Sequence, residues 1–173
     1  MNEIFKDWGL TWEGLKTGKR GEYLVAIQGL LLVGFVLLPV YPIPGLVALK
    51  SSPWMYLIWG ISILFVAISV FLMVKGLMDL GENLTPLPYP KDTGNLIQSG
   101  VYNVVRHPLY SGLIFVTFGW TLFFLSLSHL AITAILFLFL DIKSRREEQW
   151  LIDKYPEYSE YKRRVKKLIP LVY

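Results

Sequence analysis

Two short runs in this sequence hold residue types that can act together. The first is Arg106-His107-Pro108-Leu109-Tyr110. The residue before a proline is pushed towards extended backbone, and proline is favoured at the first position of a helix. The run therefore predicts a helix opening at Pro108, with His107 at or near its N-cap. A helix amino terminus offers free amides and partial positive charge, which suits a carboxylate or a phosphate. Arg106 adds a fixed charge, and Tyr110, one turn in, can face the same space. The plainer alternative makes Arg106 a charge anchor at a membrane boundary and His107 only a cap. The second run is Lys143-Ser144-Arg145-Arg146-Glu147-Glu148. Lys143 and Glu147 stand four apart and share a helical face; Arg145 and Glu148 stand three apart and share another. Exposed pairs of this kind contribute less than ~1 kcal/mol, so a solvated stripe is the default. If the helix leaves a membrane on the side of His107, Glu147 or Glu148 can close a polar pocket there. A carboxylate in such a pocket suits a cationic ligand or a pair of ribose hydroxyls.

The elements that must position these runs are apolar. The chain has 173 residues, of which 54% are hydrophobic and 17% charged, with a mean hydropathy of +0.47 and no cysteine. Soluble domains average roughly 45–50% apolar and ~25% charged residues. Disorder, a disulfide-stapled domain, a cysteine-ligated metal site and a cysteine nucleophile are excluded. A chain this short cannot hide so much apolar surface from water. The net charge of +4 then points to an anionic membrane surface as the partner rather than nucleic acid. With His107 and His129 as the only histidines, no catalytic metal site is expected.

The expected fold is all-α: one integral membrane domain over 1–173 with about four transmembrane helices. Residues 1–22 form a retained cytoplasmic arm, a surface helix carrying Trp8 and Trp12. Residues 23–74 hold two spans, Tyr23–Val40 and Trp54–Val74, separated by Pro39, Pro42 and Pro44. Residues 75–155 make a long cytoplasmic loop and a helical hairpin. The 32 uncharged residues from 109 to 140 would make one helix of roughly 48 Å, too long for a ~30 Å hydrocarbon core. A turn near Ser126–His129 divides them, and the last helix runs on past Leu140 to stop before Pro156. His129, at the outer turn, is expected to be an interfacial residue. Leu84-Thr85-Pro86-Leu87-Pro88-Tyr89-Pro90 reads as a polyproline strap across the helix ends. Residues 156–173 form an amphipathic helix on the anionic membrane surface, away from the site, with Tyr158, Tyr161, Val165, Leu168 and Ile169 on one face. Four spans put 16 of the 17 Lys and Arg residues, and all 13 acids, on one side. The positive-inside rule makes that side cytoplasmic, so the chemistry is expected there.

Leu84-Thr85-Pro86-x-Pro88, Gly100-x-Tyr102-x-x-Val105-Arg106-His107-Pro108-x-Tyr110-x-Gly112, a hydrophobic hairpin, Glu147-Glu148, Tyr158-x-x-Tyr161 and Arg164-Val165 together resemble the isoprenylcysteine carboxyl methyltransferase family. The resemblance covers residues 80–170 and suggests a small prokaryotic relative in an inner membrane. It implies S-adenosylmethionine as cofactor, held by Leu96, Ile97, Tyr102, His107, Pro108, Leu109, Tyr110 and Glu147. Where family members place a substrate-facing arginine, this chain has Lys143, with Arg145 and Arg146 nearby; Lys143 and Arg146 are the expected substrate contacts. The implied reaction is methyl transfer to a lipophilic substrate from the bilayer, foremost the carboxylate of an isoprenylcysteine-like or prenylated molecule. A carboxylate is already ionised at neutral pH and needs no general base; Arg106 or Lys143 would hold it. An amine or thiol acceptor, including a phospholipid amine, would require Glu148 or a water as base. A nicotinamide-dependent (NADPH) membrane reductase and a non-enzymatic membrane scaffold are the alternatives.

Overall fold

A computed structural model describes residues 12–173. The arm helix falls partly outside them: α1 covers Trp12–Thr17, and Trp8 is outside the described residues. The other helices are α2 (Glu22–Leu37), α3 (Trp54–Leu80), α4 (Pro108–Phe124), α5 (Leu127–Lys154) and the short α6 (Tyr158–Arg164). Among the described residues there is no strand; extended backbone pairs in two isolated bridges, Pro42 with Ser126 and Val105 with Lys166. The all-α expectation is met.

Two helices, α3 and α5, are long and apolar enough to cross a membrane, with mean hydropathies of 2.7 and 1.6; α2 and α4 are shorter apolar helices. The faces they turn outward carry Leu30, Val36, Ile63, Phe71 and Leu138, surface that suits hydrocarbon rather than water. α3 runs past the expected end at Val74. Lys75 and Asp79, one turn apart and 2.9 Å from each other, support its last turn, and Gly81, at φ +52°, ends it. α4 starts where expected, with Pro108 at its first turn and His107 outside helical geometry. Leu125 adopts the left-handed conformation to end α4, and the Ser126 side chain caps α5 by accepting from the His129 amide.

α3 packs along α4, and α2 packs on α5. The α3–α4 contact is built from small residues at seven-residue spacing: Ser62, Ser69 and Gly76 on α3, Gly112 and Gly119 on α4. Ser69 Oγ donates to the Gly112 carbonyl at 2.7 Å. In lipid the hydrophobic effect gives little drive for helix pairing, so close backbone packing carries more of it. A Cβ on Gly112 would stand 2.3 Å from Met73 Cγ and 3.2 Å from the Ser69 carbonyl, whereas one on Gly60 would meet nothing within 4 Å. Gly112→Leu is therefore expected to force the helices apart and cost ~1–3 kcal/mol, lowering the thermal midpoint in detergent. Gly60→Leu, on α3 but in open space, is the control; equal midpoints for the two variants would refute the close-packing role.

Two expectations are corrected here. His129 is buried, not interfacial: it is 2% exposed, its Nδ1 lies 2.7 Å from Ser126 Oγ, and its ring meets Phe35 edge-on. The loop after α2 folds over the α4–α5 turn, with Ile43 N donating to Leu125 O and Leu127 N to Tyr41 O, and so covers it. The tail is not a long helix on a lipid surface. α6 has seven residues, and Tyr158, Tyr161, Val165 and Leu168 are all buried. The apolar face covers protein. Beyond α6 the chain runs extended beside the approach to α4, where Arg106 N donates to Lys166 O (2.8 Å) and His107 N to Lys167 O (3.2 Å).

Candidate functional site

The approach to α4 is fixed residue by residue. Asp79, at the end of α3, accepts from Val101 N at 2.8 Å. Gly100 passes so close that a Cβ there would lie 2.1 Å from the Asp79 carboxylate, and its φ is +60°. This anchors the turn Gly100–Asn103, which sets Tyr102 under α3 with its hydroxyl 3.4 Å from Gly76 O. Tyr161 in the tail donates to Tyr102 O. Burial pushes the phenols of Tyr102 and Tyr161 well above their ordinary range, so both stay protonated and serve as donors.

Arg106 and Glu148 meet, but not as reactive groups. Arg106 Nε and Nη2 donate to Glu148 Oε1 at 2.8 and 2.7 Å, and Lys162 Nζ reaches Oε2 at 2.9 Å. His107 Nε2 is 3.3 Å from Oε1. Arg106 Nη1 donates to the tail carbonyls of Lys162 (3.0 Å) and Val165. Glu148 is 1% exposed. Its carboxylate is spent on cations and does not line the cavity described next; it is not placed to act as the base expected of it. Arg106 borders that cavity, but its guanidinium is committed to Glu148 and the tail and is not placed to hold a substrate. The expected pairing of Arg145 with Glu148 also gives way: Arg145 joins Asp141 at 2.7 Å.

Glu147, the neighbouring acid, points elsewhere. A cavity of about 420 Å³ opens at the end of the bundle. Leu96, Ile97, Tyr102, His107, Pro108, Leu109, Tyr110 and Glu147, the eight residues expected around the cofactor, all line it, as does Lys143. Tyr110 donates to Glu147 Oε2 at 2.7 Å. The His107 and Tyr110 rings stack at 5.3 Å and 6°, and His107 Nδ1 lies 3.8 Å from Glu147 Oε1. Lys143, 2% exposed, donates to Gln28 of α2 at 2.6 Å and sits 5.0 Å over the Tyr110 ring. Arg146 is not on the wall: it is exposed and lies over Trp150, which corrects its expected substrate role.

The strap Leu84–Pro90 lines the cavity along its whole length, closer to the site than a clamp across helix ends. Around it, Tyr155 donates to Gly94 O at 2.5 Å and Lys154 to Asp92 O at 3.0 Å. Tyr89 packs edge-on against Trp150, and a Cβ on Gly21 would meet Pro88 at 2.5 Å. Sequence reasoning missed Gln28, the strap as a wall, and Tyr155, Tyr158 and Tyr161 as lining residues. Gln28 had a signal: it is the one strongly polar residue in the run Tyr23–Val40.

A family model described as phospholipid methyltransferase matches residues 56–158, which takes in the strap, the start of α4 and the Glu147 turn. Over 71 residues, 40% of this chain, the sequence is 37% identical to methanethiol S-methyltransferase 1 of Bradyrhizobium diazoefficiens, and the match spans 24% of that relative's length.

Proposed function

We propose that this chain, which belongs to the phospholipid methyltransferase family, is a membrane methyltransferase that holds S-adenosylmethionine in the cavity beneath the strap and methylates a lipophilic acceptor carrying an anionic nucleophile. One observation carries the reading. The Glu147 carboxylate, the stacked His107 and Tyr110 rings and the buried Lys143 cation converge on one cavity whose remaining wall is largely apolar and aromatic. Its volume of about 420 Å³ lies within the ~300–1,000 Å³ of small-molecule sites. The residues fit the cofactor: a carboxylate for its hydroxyls or ammonium, and aliphatic and aromatic side chains for its purine. When bound, it supplies an electrophilic methyl group on a sulfonium and leaves as a neutral thioether.

The chain's own residues supply the rest. Glu147, held by Tyr110, orients the polar end. Lys143, held by Gln28, presents a positive charge where the acceptor's anion would sit. Strap and tail exclude water from the reacting groups, which strengthens each of these interactions. Val25 of α2 and Met73 and Leu77 of α3 also border the cavity, giving an acceptor's tail an apolar way to the bilayer. A carboxylate such as that of an isoprenylcysteine-like molecule arrives ionised and needs no base. A thiol is the second reading, favoured by the named activity of the partly matching relative; with Glu148 spent on Arg106 and Lys162, a water would take the thiol's proton, and the same lysine would hold the thiolate. A nicotinamide reductase would instead need cations for a pyrophosphate, and Arg106 is spent on Glu148 and the tail. In this reading α2 to α5 each cross an inner membrane with the cavity on the cytoplasmic side, a placement supported by 16 of the 17 basic residues falling there and the positive-inside rule.

Purified protein should bind S-adenosylhomocysteine saturably in calorimetry or dialysis; folded protein that shows no binding would remove the reading. Incubation with radiolabelled methyl donor and prenylcysteine analogues, lipid thiols or phosphatidylethanolamine vesicles should label the carboxylate or the thiol. Label confined to the phospholipid amine would overturn the anionic acceptor while leaving the cofactor assignment standing.

A further inference from the structure

Tyr158 is the first residue of α6. It is 1% exposed, and it lines the cavity. Its ring packs edge-on against Tyr161 at 5.5 Å and within a cluster that includes Leu96, Leu151 and Tyr155. Its hydroxyl is fully buried and, among the described residues, makes no hydrogen bond. A buried hydroxyl left unpaired costs ~1–3 kcal/mol, and a phenylalanine would fill the same packing without that cost. The neighbouring tyrosines do not share the anomaly: Tyr161 donates to Tyr102 O, Tyr155 to Gly94 O and Tyr110 to Glu147. Among the described residues, Tyr158 is the tyrosine of this wall whose hydroxyl is buried without a partner.

We infer that Tyr158 is a further ligand-binding residue, whose hydroxyl donates to an acceptor on the nucleoside end of the bound cofactor. This rests on the cofactor reading proposed above. The choice of end follows from the wall. Leu96, Leu151, Tyr155, Tyr158 and Tyr161 make an apolar and aromatic region suited to a purine, whereas His107, Tyr110, Lys143 and Glu147 make the polar one. Burial pushes the phenol well above its ordinary range, so the group enters any contact as a donor, and a purine ring nitrogen is the matching acceptor. The contact reaches outside the runs that suggested a cofactor site, and it gives the tail a direct part in recognition beyond its support of Arg106.

The test is Tyr158→Phe, which removes one oxygen and keeps the ring. Ligand-free, the variant should melt at or above the wild-type temperature, because no internal hydrogen bond is lost. Its affinity for S-adenosylhomocysteine should fall about tenfold. Its affinity for 5′-methylthioadenosine, which keeps the nucleoside and lacks the amino-acid end, should fall by a similar factor. Unchanged affinity for both ligands would overturn the inference while wild-type binding still upheld the cofactor reading. A loss for S-adenosylhomocysteine alone would overturn the assignment to the nucleoside end. A ligand-free variant that melts well below wild type would show that the hydroxyl has a structural partner and overturn the inference as well. If wild type binds neither ligand, the cofactor reading fails and this inference with it.

Discussion

Glu148→Ala is expected to destabilise the protein by ~3–5 kcal/mol, the cost of stranding a buried charge by removing its partner. The carboxylate is 1% exposed and holds three cationic or potentially cationic groups: Arg106, Lys162 and, at 3.3 Å, His107. Of these, Lys162 is 40% exposed in its side chain and can turn to water, but Arg106 is 7% exposed and cannot. Arg106 is also the clamp on the tail carbonyls of Lys162 and Val165, so its release loosens α6 and the extended segment behind His107. At this chain length each kcal/mol corresponds to roughly 2–4 °C, so the thermal midpoint in detergent should fall by roughly 6–20 °C. Glu148→Gln, which keeps an acceptor and loses the charge, should fall in between. Replacing both partners, Arg106→Met with Glu148→Leu, should recover much of the loss, because an apolar pair carries no desolvation cost. A Glu148→Ala protein that melts within ~1 kcal/mol of wild type would contradict the structural role given to this pair.

The start of α4 at Pro108, the turn at Ser126 and the end of α5 before Pro156 were legible because each is set by local chemistry: a proline at a first turn, a serine cap, a proline that cannot continue a helix. What a face packs against is not local. Tyr158, Tyr161, Val165 and Leu168 have the spacing of a surface helix, and the same spacing serves equally to cover a protein groove. That this face meets Arg106 and His107 depends on contacts about sixty residues away in sequence. Lys143 was picked out from its helix alone; its partner Gln28 stands 115 positions away and becomes visible once α2 is laid on α5. The two acids show the limit most sharply. Glu147 and Glu148 are adjacent, so they point about 100° apart around the helix. Spacing alone offered Arg145 to Glu148. The fold instead gives Arg145 to Asp141, turns Glu148 into the tail and leaves Glu147 on the cavity wall.

That division predicts opposite phenotypes for neighbouring residues. Glu147→Ala should leave the folded protein nearly as stable as wild type and weaken S-adenosylhomocysteine binding roughly 10- to 150-fold, the range for losing a charged hydrogen bond worth ~1.5–3 kcal/mol. The side chain is 23% exposed, and its one short contact is the Tyr110 hydroxyl at 2.7 Å; removing it takes a nearby carboxylate from the buried Lys143 but breaks no direct ion pair of the kind that binds Arg106 to Glu148. Its other oxygen is 3.8 Å from His107 Nδ1, beyond hydrogen-bond length, and is the acceptor available to a ligand on the cavity wall. Tyr110→Phe should lose less, because the carboxylate stays and only its tether goes. The discriminating measurement is the pair of readouts on the pair of variants. Affinity falls with stability kept in Glu147→Ala, and stability falls first in Glu148→Ala. Equal loss of both quantities in both variants would mean that the two acids form one structural unit, and the cavity wall would then need another residue to recognise the polar end of its ligand.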